Sequence, residues 1–168
     1  MEINKKLKSI IIVFSPVFIM LLSINAKSQN DKIITGYFTK SDLLQENYKT
    51  WFNENYDYNY DKSTVKEIKR NIKNVKIVII MGTWCSDSKL QVPEFLKILD
   101  DINFNYKNLK LIGVDREKLA GEVDISVYEI EKVPTFIFYK NNKEIGRIIE
   151  SPTQTLEKDF LIILLNSK

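Results

Sequence analysis

The residue of this sequence best suited to covalent chemistry is its single cysteine, Cys85. It follows a nearly continuous apolar run, residues 75–81, and opens a segment, residues 85–100, whose apolar side chains recur at helical spacing. A thiol between a buried strand and a helix lies at the helix N-terminus, where backbone N–H groups and the helix dipole stabilise a thiolate. The sequence therefore predicts a nucleophilic thiol.

Side chains next to Cys85 act on such a thiolate in opposite directions. Ser88 follows at i+3, so its hydroxyl is expected to face the sulfur and donate a hydrogen bond to it. A negative charge on Asp87 disfavours the thiolate, and Lys89 partly offsets that charge. The alternative is that Cys85 is a small buried hydrophobic residue, because unpaired cysteines are among the most buried residue types.

The composition excludes several kinds of catalytic and metal site. No histidine occurs among the 168 residues, so Ser-His-Asp and Cys-His pairs, histidine general bases and histidine-containing zinc sites are excluded. One cysteine also excludes a disulfide within the chain and a four-cysteine metal site. We therefore expect neither a metal nor a cofactor.

The formal net charge of +3 arises near the N-terminus. Residues 1–28 hold four lysines and one glutamate, whereas basic and acidic side chains balance over residues 29–168. Nucleic-acid binding requires a surplus of lysine and arginine that displaces phosphate counterions. No nucleic-acid partner is expected.

The first 28 residues have the layout of a secretory signal peptide. A basic stretch, residues 1–8, precedes an apolar run, residues 10–24, and a polar segment with small-x-small spacing. We expect export to the periplasm or the extracellular space, with the signal peptide cleaved before Gln29. The alternative is an uncleaved membrane anchor, although the apolar run is shorter than the roughly 20 residues that span a bilayer.

The order of apolar patterns predicts an α/β fold with a mixed central sheet and helices on both faces. The predicted strands cover residues 32–39, 75–81, 109–115, 135–139 and 144–149. The predicted helices cover residues 41–53, 64–74, 85–100 and 121–131, and a last helix carries Leu156, Phe160 and Leu164. Thr64 and Glu67 form a capping box at the second helix. Asn141-Asn142 makes a tight turn between the last two strands.

Three features of the chain resemble the thioredoxin superfamily. The segment Trp84-Cys85-Ser86-Asp87-Ser88 resembles the family's Trp-Cys-x-x-Cys motif, with serine in place of the second cysteine. Pro93 lies where the family kinks the helix that follows the motif. Val133-Pro134-Thr135 resembles the family's cis-proline tripeptide, and the three features agree in order and spacing.

This resemblance implies a thioredoxin fold, with a thioredoxin-like core at residues 75–168 and an N-terminal strand and helical extension at residues 29–74. It also implies that Pro134 forms a cis peptide bond beside Cys85, and that the backbone of Val133 pairs with an extended substrate. Trp84 and Thr135 complete the implied substrate-binding surface. The ordinary alternatives are a strand-edge proline at Pro134 and a core aromatic at Trp84.

Two departures from the family pattern limit the expected activity. In a dithiol thioredoxin the second cysteine resolves the mixed disulfide that the first one forms, and Ser88 cannot do this. Ile79 stands where thioredoxins often carry a buried acid. We therefore expect an exported single-thiol protein for thiol–disulfide exchange or isomerisation in cell redox homeostasis, with Cys85 as nucleophile and Ser88 as its hydrogen-bond partner. Its partners would be exported proteins or small thiols held in mixed disulfides.

The competing hypothesis is a redox-inert binding module for peptides or partner proteins, which keeps the groove and uses Cys85 only structurally. An accessible, reactive thiol favours exchange, and a buried, unreactive one favours the binding module. The aromatic stretch at residues 51–60 either forms a peptide-binding lip or packs the N-terminal extension onto the domain. The charged segment 115–118 is most simply a solvated turn after a strand.

Overall fold

The computed structural model describes residues 32–167, so the signal peptide predicted at residues 1–28 lies outside the described part of the chain. The elements in chain order are β1 (Gly36–Phe38), α1 (Lys40–Leu43), α2 (Lys49–Tyr56), α3 (Lys62–Asn71), β2 (Val75–Met81), α4 (Ser86–Asp101), β3 (Leu109–Gly113), β4 (Thr135–Lys140), β5 (Lys143–Ile149) and α5 (Leu156–Asn166). None of these helices is both long and apolar enough to span a membrane.

The strands form one mixed sheet in the order β1-β3-β2-β4-β5. The central pair, β2 and β3, is parallel, and β1, β4 and β5 each pair antiparallel with a neighbour. In β2, Ile77 and Ile79 face one apolar cluster while Val78 and Ile80 face the other. Because both faces of β2 are covered, its sequence is continuously apolar, as the strand prediction for residues 75–81 assumed.

All five α-helices contribute to the cluster on the first face of the sheet. Its centre is a group of four phenylalanine rings, in which Phe95 of α4 lies 4.8 Å from Phe136 and 5.2 Å from Phe160 between ring centroids. Phe138 of β4 lies 4.7 Å from Phe160 of α5. These ring contacts join α4, β4 and α5, so the helix that follows Cys85 is anchored in the core at Phe95.

The second face of the sheet is covered by the segment 114–134, and the helix predicted at 121–131 is wrong. A single 3-10 turn, Ser126–Tyr128, is the regular element of this segment. Gly121 and Glu129 have φ angles of +60° and +49°, which an α-helix cannot contain, and they flank the turn. Apolar side chains of the segment, such as Ile125, still cover the sheet.

The N-terminal extension begins with β1, which pairs with β3. The helix predicted at 41–53 is interrupted, because α1 ends at Leu43 and α2 begins at Lys49. Tyr48 lies in the break, is buried, and donates its hydroxyl hydrogen to the carbonyl oxygen of Lys32 at 2.7 Å. The interruption therefore provides a buried tyrosine that ties the start of the described chain to α2.

The capping box predicted from Thr64 and Glu67 is also wrong. Helix α3 starts earlier, and its N-cap is Asp61, whose carboxylate accepts hydrogen bonds from the backbone N–H groups of Ser63 at 2.8 Å and Thr64 at 3.4 Å. Aspartate is at least as good an N-cap as threonine, so α3 is capped at Asp61 and not at Thr64. Glu67 instead forms an ion pair with Arg70 one turn later.

The aromatic stretch packs the extension onto the domain, in agreement with the second of the two alternatives for it. Three tyrosine hydroxyls from this stretch donate to carboxylates of α4 and α5. The pairs are Tyr56 with Asp100, Tyr58 with Glu157 at 2.9 Å, and Tyr60 with Asp101. Phenol-to-carboxylate bonds of this kind are charge-assisted and hold the extension in one position.

Two carboxyl groups lie close together beneath the extension. Glu157 is almost fully buried and accepts hydrogen bonds from the Tyr58 hydroxyl and, at 3.2 Å, from the Asp61 backbone N–H. Burial, together with repulsion from Glu157, raises the pKa of Glu94 to about 7. Glu94 is therefore a group whose charge destabilises the folded state.

Glu94→Gln should remove part of the pH dependence of stability. Because the pKa of Glu94 lies near 7 in the folded protein and near its ordinary value of 4.5 in the unfolded chain, the folded state binds more protons between these pH values. The contribution of Glu94 to the free energy of unfolding then falls as the pH rises from about 4.5 to 7. Urea denaturation across this range should show a shallower fall for Glu94→Gln. Parallel pH curves for the two proteins would contradict the burial of Glu94.

Candidate active site

Cys85 is the N-cap residue of α4, as the sequence predicted, with an extended backbone at φ −89° and ψ 128°. Its N–H donates to the carbonyl of Gly82 at 2.9 Å, and its carbonyl accepts from the N–H of Lys89 at 3.0 Å. These two bonds close the turn after β2 and start the helix. The half-buried sulfur is thereby held at the N-terminal end of α4.

The peptide bond between Val133 and Pro134 is cis, and it lies next to the thiol. The Sγ of Cys85 donates a hydrogen bond to the Val133 carbonyl oxygen, with 3.3 Å between sulfur and oxygen. Val133 and Pro134 are both buried. The structure thus brings together the two motifs that the sequence places 48 residues apart.

Ser88 occupies a different place from the one expected of a partner of the sulfur. It is fully buried, and its Oγ accepts a hydrogen bond from the Gly82 backbone N–H at 3.3 Å. Ser88 therefore closes the turn that carries Cys85 from inside the domain. Ser88 acts on the thiol by fixing the turn that positions it, because the thiol itself donates its hydrogen to the Val133 carbonyl.

Trp84 lies against the same turn. Its Nε1 donates to the Val114 carbonyl at 2.9 Å, which joins the loop after β2 to the loop after β3. The ring lies so close to Gly82 that a Cβ there would be 2.6 Å from two ring atoms. Trp84 is half-buried and packs with Cys85 against the cluster on the second face of the sheet.

Arg116 is a residue of this region that the sequence analysis missed. Its guanidinium carbon lies 5.1 Å from the centroid of the Trp84 ring, within cation–π range. The segment 115–118 is indeed a turn, in which the Asp115 carboxylate accepts from the N–H groups of Glu117 and Leu119. A signal was present, because Arg116 follows β3, and the carboxyl ends of parallel strands share one sheet edge.

The remaining predicted site residues have supporting positions. Thr135 is buried, and its hydroxyl donates to the Lys132 carbonyl at 2.6 Å, while the Pro134 carbonyl accepts from the Glu150 N–H at 2.8 Å. Asp87 lies half-buried in the first turn of α4. Over residues 32–167, no group of three histidine, cysteine, aspartate or glutamate side chains is placed to hold a metal ion.

Comparison with known proteins decides the family. The thioredoxin family model matches residues 57–161. This chain belongs to the thioredoxin family. The match covers the motif at Cys85 and the cis-proline segment, so the resemblance on which the sequence analysis depended is confirmed, and with it the thioredoxin fold.

The curated relatives include thioredoxins of several eukaryotes. Thioredoxin H5 of rice, Oryza sativa subsp. japonica, is 26% identical over 102 residues, which are 61% of this chain and 70% of that protein. Thioredoxin-like protein R548 of Acanthamoeba polyphaga mimivirus is 29% identical over 89 residues, which are 53% of this chain and 62% of that protein. The chain thus spans about two thirds of the length of these relatives.

Among solved structures, a Pseudomonas aeruginosa protein of unknown function superposes with a TM-score of 0.52 at 11% identity, covering 71% of this chain and 82% of that one. This likeness concerns the fold. It covers more of this chain than the rice thioredoxin match does, 71% against 61%.

Gly82→Ala should loosen the packing around Trp84. Because the added Cβ would lie 2.6 Å from the ring, the ring or the turn must move. We expect the free energy of unfolding, measured by urea denaturation, to fall by about 1–3 kcal/mol, the usual cost of overpacking. The same substitution in a Trp84→Ala background should cost much less, since a double-mutant cycle isolates this contact. Equal losses in both backgrounds would refute it.

Proposed function

We propose that this protein is an exported, single-thiol thioredoxin that takes part in thiol–disulfide exchange through Cys85. One observation carries the proposal: the sulfur lies at the N-terminus of α4 and contacts the backbone beside a cis proline. The first feature stabilises a thiolate, and the second offers backbone groups to an extended substrate. The sequence supplies no second cysteine, so the chemistry must proceed with one thiol.

The proposed reaction has two exchange steps. The Cys85 thiolate attacks one sulfur of a client disulfide, the client's S–S bond breaks, and the second client sulfur leaves as a thiolate. A mixed disulfide now joins Cys85 to the client. In the second step, a thiol of the client or a small external thiol attacks this bond as a thiolate and releases Cys85. Attack by the client's own thiol rearranges disulfides without net oxidation or reduction.

The contact between Cys85 and Val133 links ionisation of the thiol to substrate binding. In the free protein the thiol hydrogen lies between Sγ and the Val133 carbonyl oxygen. Once the thiol has lost its proton, that carbonyl loses its donor. A backbone N–H of an extended client can then take its place, which is the kind of pairing an edge-bound peptide makes. Trp84, Pro134 and Thr135 shape the surface on which the client would lie.

The residues around Cys85 favour formation of the mixed disulfide over its resolution. Arg116 holds its guanidinium over the Trp84 ring, at the edge where the client would approach. Ile79, fully buried in β2, provides no carboxylate that could take up or return a proton during release. We therefore expect formation of the mixed disulfide to be easier than its resolution, and the mixed disulfide to be long-lived.

A redox-inert binding module remains the second candidate function. The hydrogen bond from Cys85 to the Val133 carbonyl favours it, because this bond engages the thiol hydrogen and holds a half-buried side chain in place. In that case the groove beside Pro134 would bind peptides without covalent chemistry. Reaction of Cys85 with iodoacetamide in the folded protein separates the two, since the binding module predicts no alkylation until the protein unfolds.

Export is part of the proposal and is supported by the sequence pattern of residues 1–28, a basic stretch followed by a short apolar run. It makes exported proteins and small thiols the expected partners. A membrane becomes a partner only if the signal segment stays uncleaved.

Cys85 should form mixed disulfides that can be trapped with exported proteins. We expect the full chain, acid-quenched and alkylated after export, to carry clients that are released by dithiothreitol and absent from Cys85→Ser. The intact mass of the reduced protein in the same sample should start at Gln29. Many turnovers of protein-disulfide reduction with a thioredoxin reductase as the electron source would sink the single-thiol mechanism, because that cycle needs a resolving thiol.

Ser88→Cys should create a disulfide with Cys85 and raise reductase activity above that of the parent. The i and i+3 positions of the first helical turn place the two β-carbons near the roughly 3.5–4.5 Å that a disulfide requires. The gain should be partial, because Ile79 still provides no proton acceptor. Thiol counts after mild oxidation and insulin-reduction rates measure both effects. The matched control is Ser86→Cys, which is exposed and should keep two free thiols. Two free thiols in folded Ser88→Cys would contradict the site geometry.

A further inference from the structure

The segment 114–134 covers the second face of the sheet towards the Cys85 end, and a cavity opens on that face towards the other end. Ile80 and Ile112, near the Cys85 end, pack in the same cluster as Val114, Ala120 and Ile125 of this segment. At the other end of β2 the same face carries Lys76, which pairs with Tyr139 of β4. Beyond the 3-10 turn Ser126–Tyr128 the covering segment does not extend, and a cavity of about 430 Å³ opens there.

Part of the lining of this cavity is apolar or aromatic. Val78 of β2 lines it and is buried, and Tyr128 and Tyr139 also line it. Val127 projects at its mouth and is 75% exposed, the most exposed large hydrophobic side chain in the described part of the chain. Its volume falls within the range of about 300–1,000 Å³ that is usual for small-molecule sites.

The polar groups around the cavity have one sign of charge. Three lysines line it, Lys76, Lys107 and Lys110, and within residues 32–167 none of its lining side chains is acidic. Lys110 sits beside Val78 in the register of β2 and β3. Lys76 donates to the Asn142 side-chain oxygen at 3.2 Å, so its ammonium is oriented without being neutralised.

A neighbouring carboxylate is already paired. Burial raises the pKa of Tyr139, and the nearby charge of Glu144 of β5 raises it further. The guanidinium of Arg147 binds both oxygens of Glu144, each at 2.6 Å. Arg147 also donates to the Tyr128 carbonyl, which fixes one wall of the cavity. The lysines therefore keep an uncompensated positive potential over the apolar part of the lining.

We propose that this cavity binds a small amphiphilic anion, a carboxylate with an apolar body. The apolar body would lie on Val78 and between Val127 and the tyrosine rings, and the carboxylate would reach the lysine ammonium groups. Burial of the body gains hydrophobic free energy, and the anion relieves repulsion among three like charges. The site is independent of Cys85, because it lies at the opposite end of β2.

Decanoate is the test probe, with two comparison compounds that separate the parts of the proposal. Isothermal titration of the full chain should show binding of decanoate, while acetate lacks the apolar body and decyltrimethylammonium has the opposite charge. Both should bind at least about 10-fold more weakly. Amide NMR shifts on decanoate addition should be confined to residues around Val78, Lys110 and Val127. Equal binding of either comparison compound, or shifts elsewhere, would overturn the proposal.

Substitutions locate the site. Lys76→Gln and Lys110→Gln should each weaken decanoate binding by about 2- to 5-fold, the size of one exposed ionic interaction, and both effects should shrink in high salt. Val127→Glu, at an exposed position, should abolish binding without loss of fold. The matched controls, Lys62→Gln and Lys158→Gln, remove exposed lysines of helices on the first face and should bind normally. Cys85→Ser should also bind normally, which keeps this test separate from that of the thiol. Unchanged binding by the cavity variants would refute the site.

Discussion

Burial of β2 on both of its faces is the constraint on which the rest of the structure depends. Alternate residues of this strand belong to two apolar layers, so its register cannot slip without placing the wrong face in each layer. With β2 held in this way, its parallel pairing with β3 and its antiparallel pairing with β4 place three chain segments at one edge. Cys85, Arg116 and Pro134 follow or precede those strand ends. The proximity of these three residues therefore depends on the topology of the sheet more than on any local motif.

The single thiol changes what the neighbouring polar groups are used for. The side chain at position 88, a sulfur in the family's dithiol motif, is here an oxygen that closes the turn by accepting from Gly82. The partner of Cys85 is instead a backbone carbonyl, that of Val133. A backbone partner cannot be lost by substitution of its side chain, so the position of the sulfur depends on the loop conformation as a whole.

The sequence predicted the elements correctly where one strong interaction or backbone requirement determines the local structure. Continuous apolar burial marks residues 75–81, and Asn141-Asn142 tolerates the φ angles of +53° and +60° that a tight hairpin requires. The prediction was wrong where several weak local preferences compete. Residues 121–131 were predicted as a short helix, yet left-handed residues at positions 121 and 129 leave a single 3-10 turn. The start of α3 was misplaced because two residues, Asp61 and Thr64, can both act as caps.

Within the site, the same distinction holds. The positions of Cys85 at a helix start and of Pro134 beside it followed from motifs that are local in sequence. The partner of Ser88 and the placement of Arg116 over Trp84 depend on which strand ends become neighbours, and on which of several hydrogen bonds a buried hydroxyl makes. Neither is encoded by spacing along the chain. The lysines around the cavity were also not recognised, since Lys76 and Lys110 become neighbours only through the pairing of β2 with β3.

The buried carboxylate of Glu157 has a consequence for the order in which the chain matures. It lies on the last helix, yet it binds Tyr58 and Asp61, which connect the second helix to the third. A ribosome releases residue 157 long after residues 58 and 61, so the early helices have no acceptor for these bonds until residue 157 has been made. We expect the extension to stay loosely attached on a nascent chain and to become protected from amide hydrogen exchange together with α5. The two ends of the described chain then open and close as one cooperative unit.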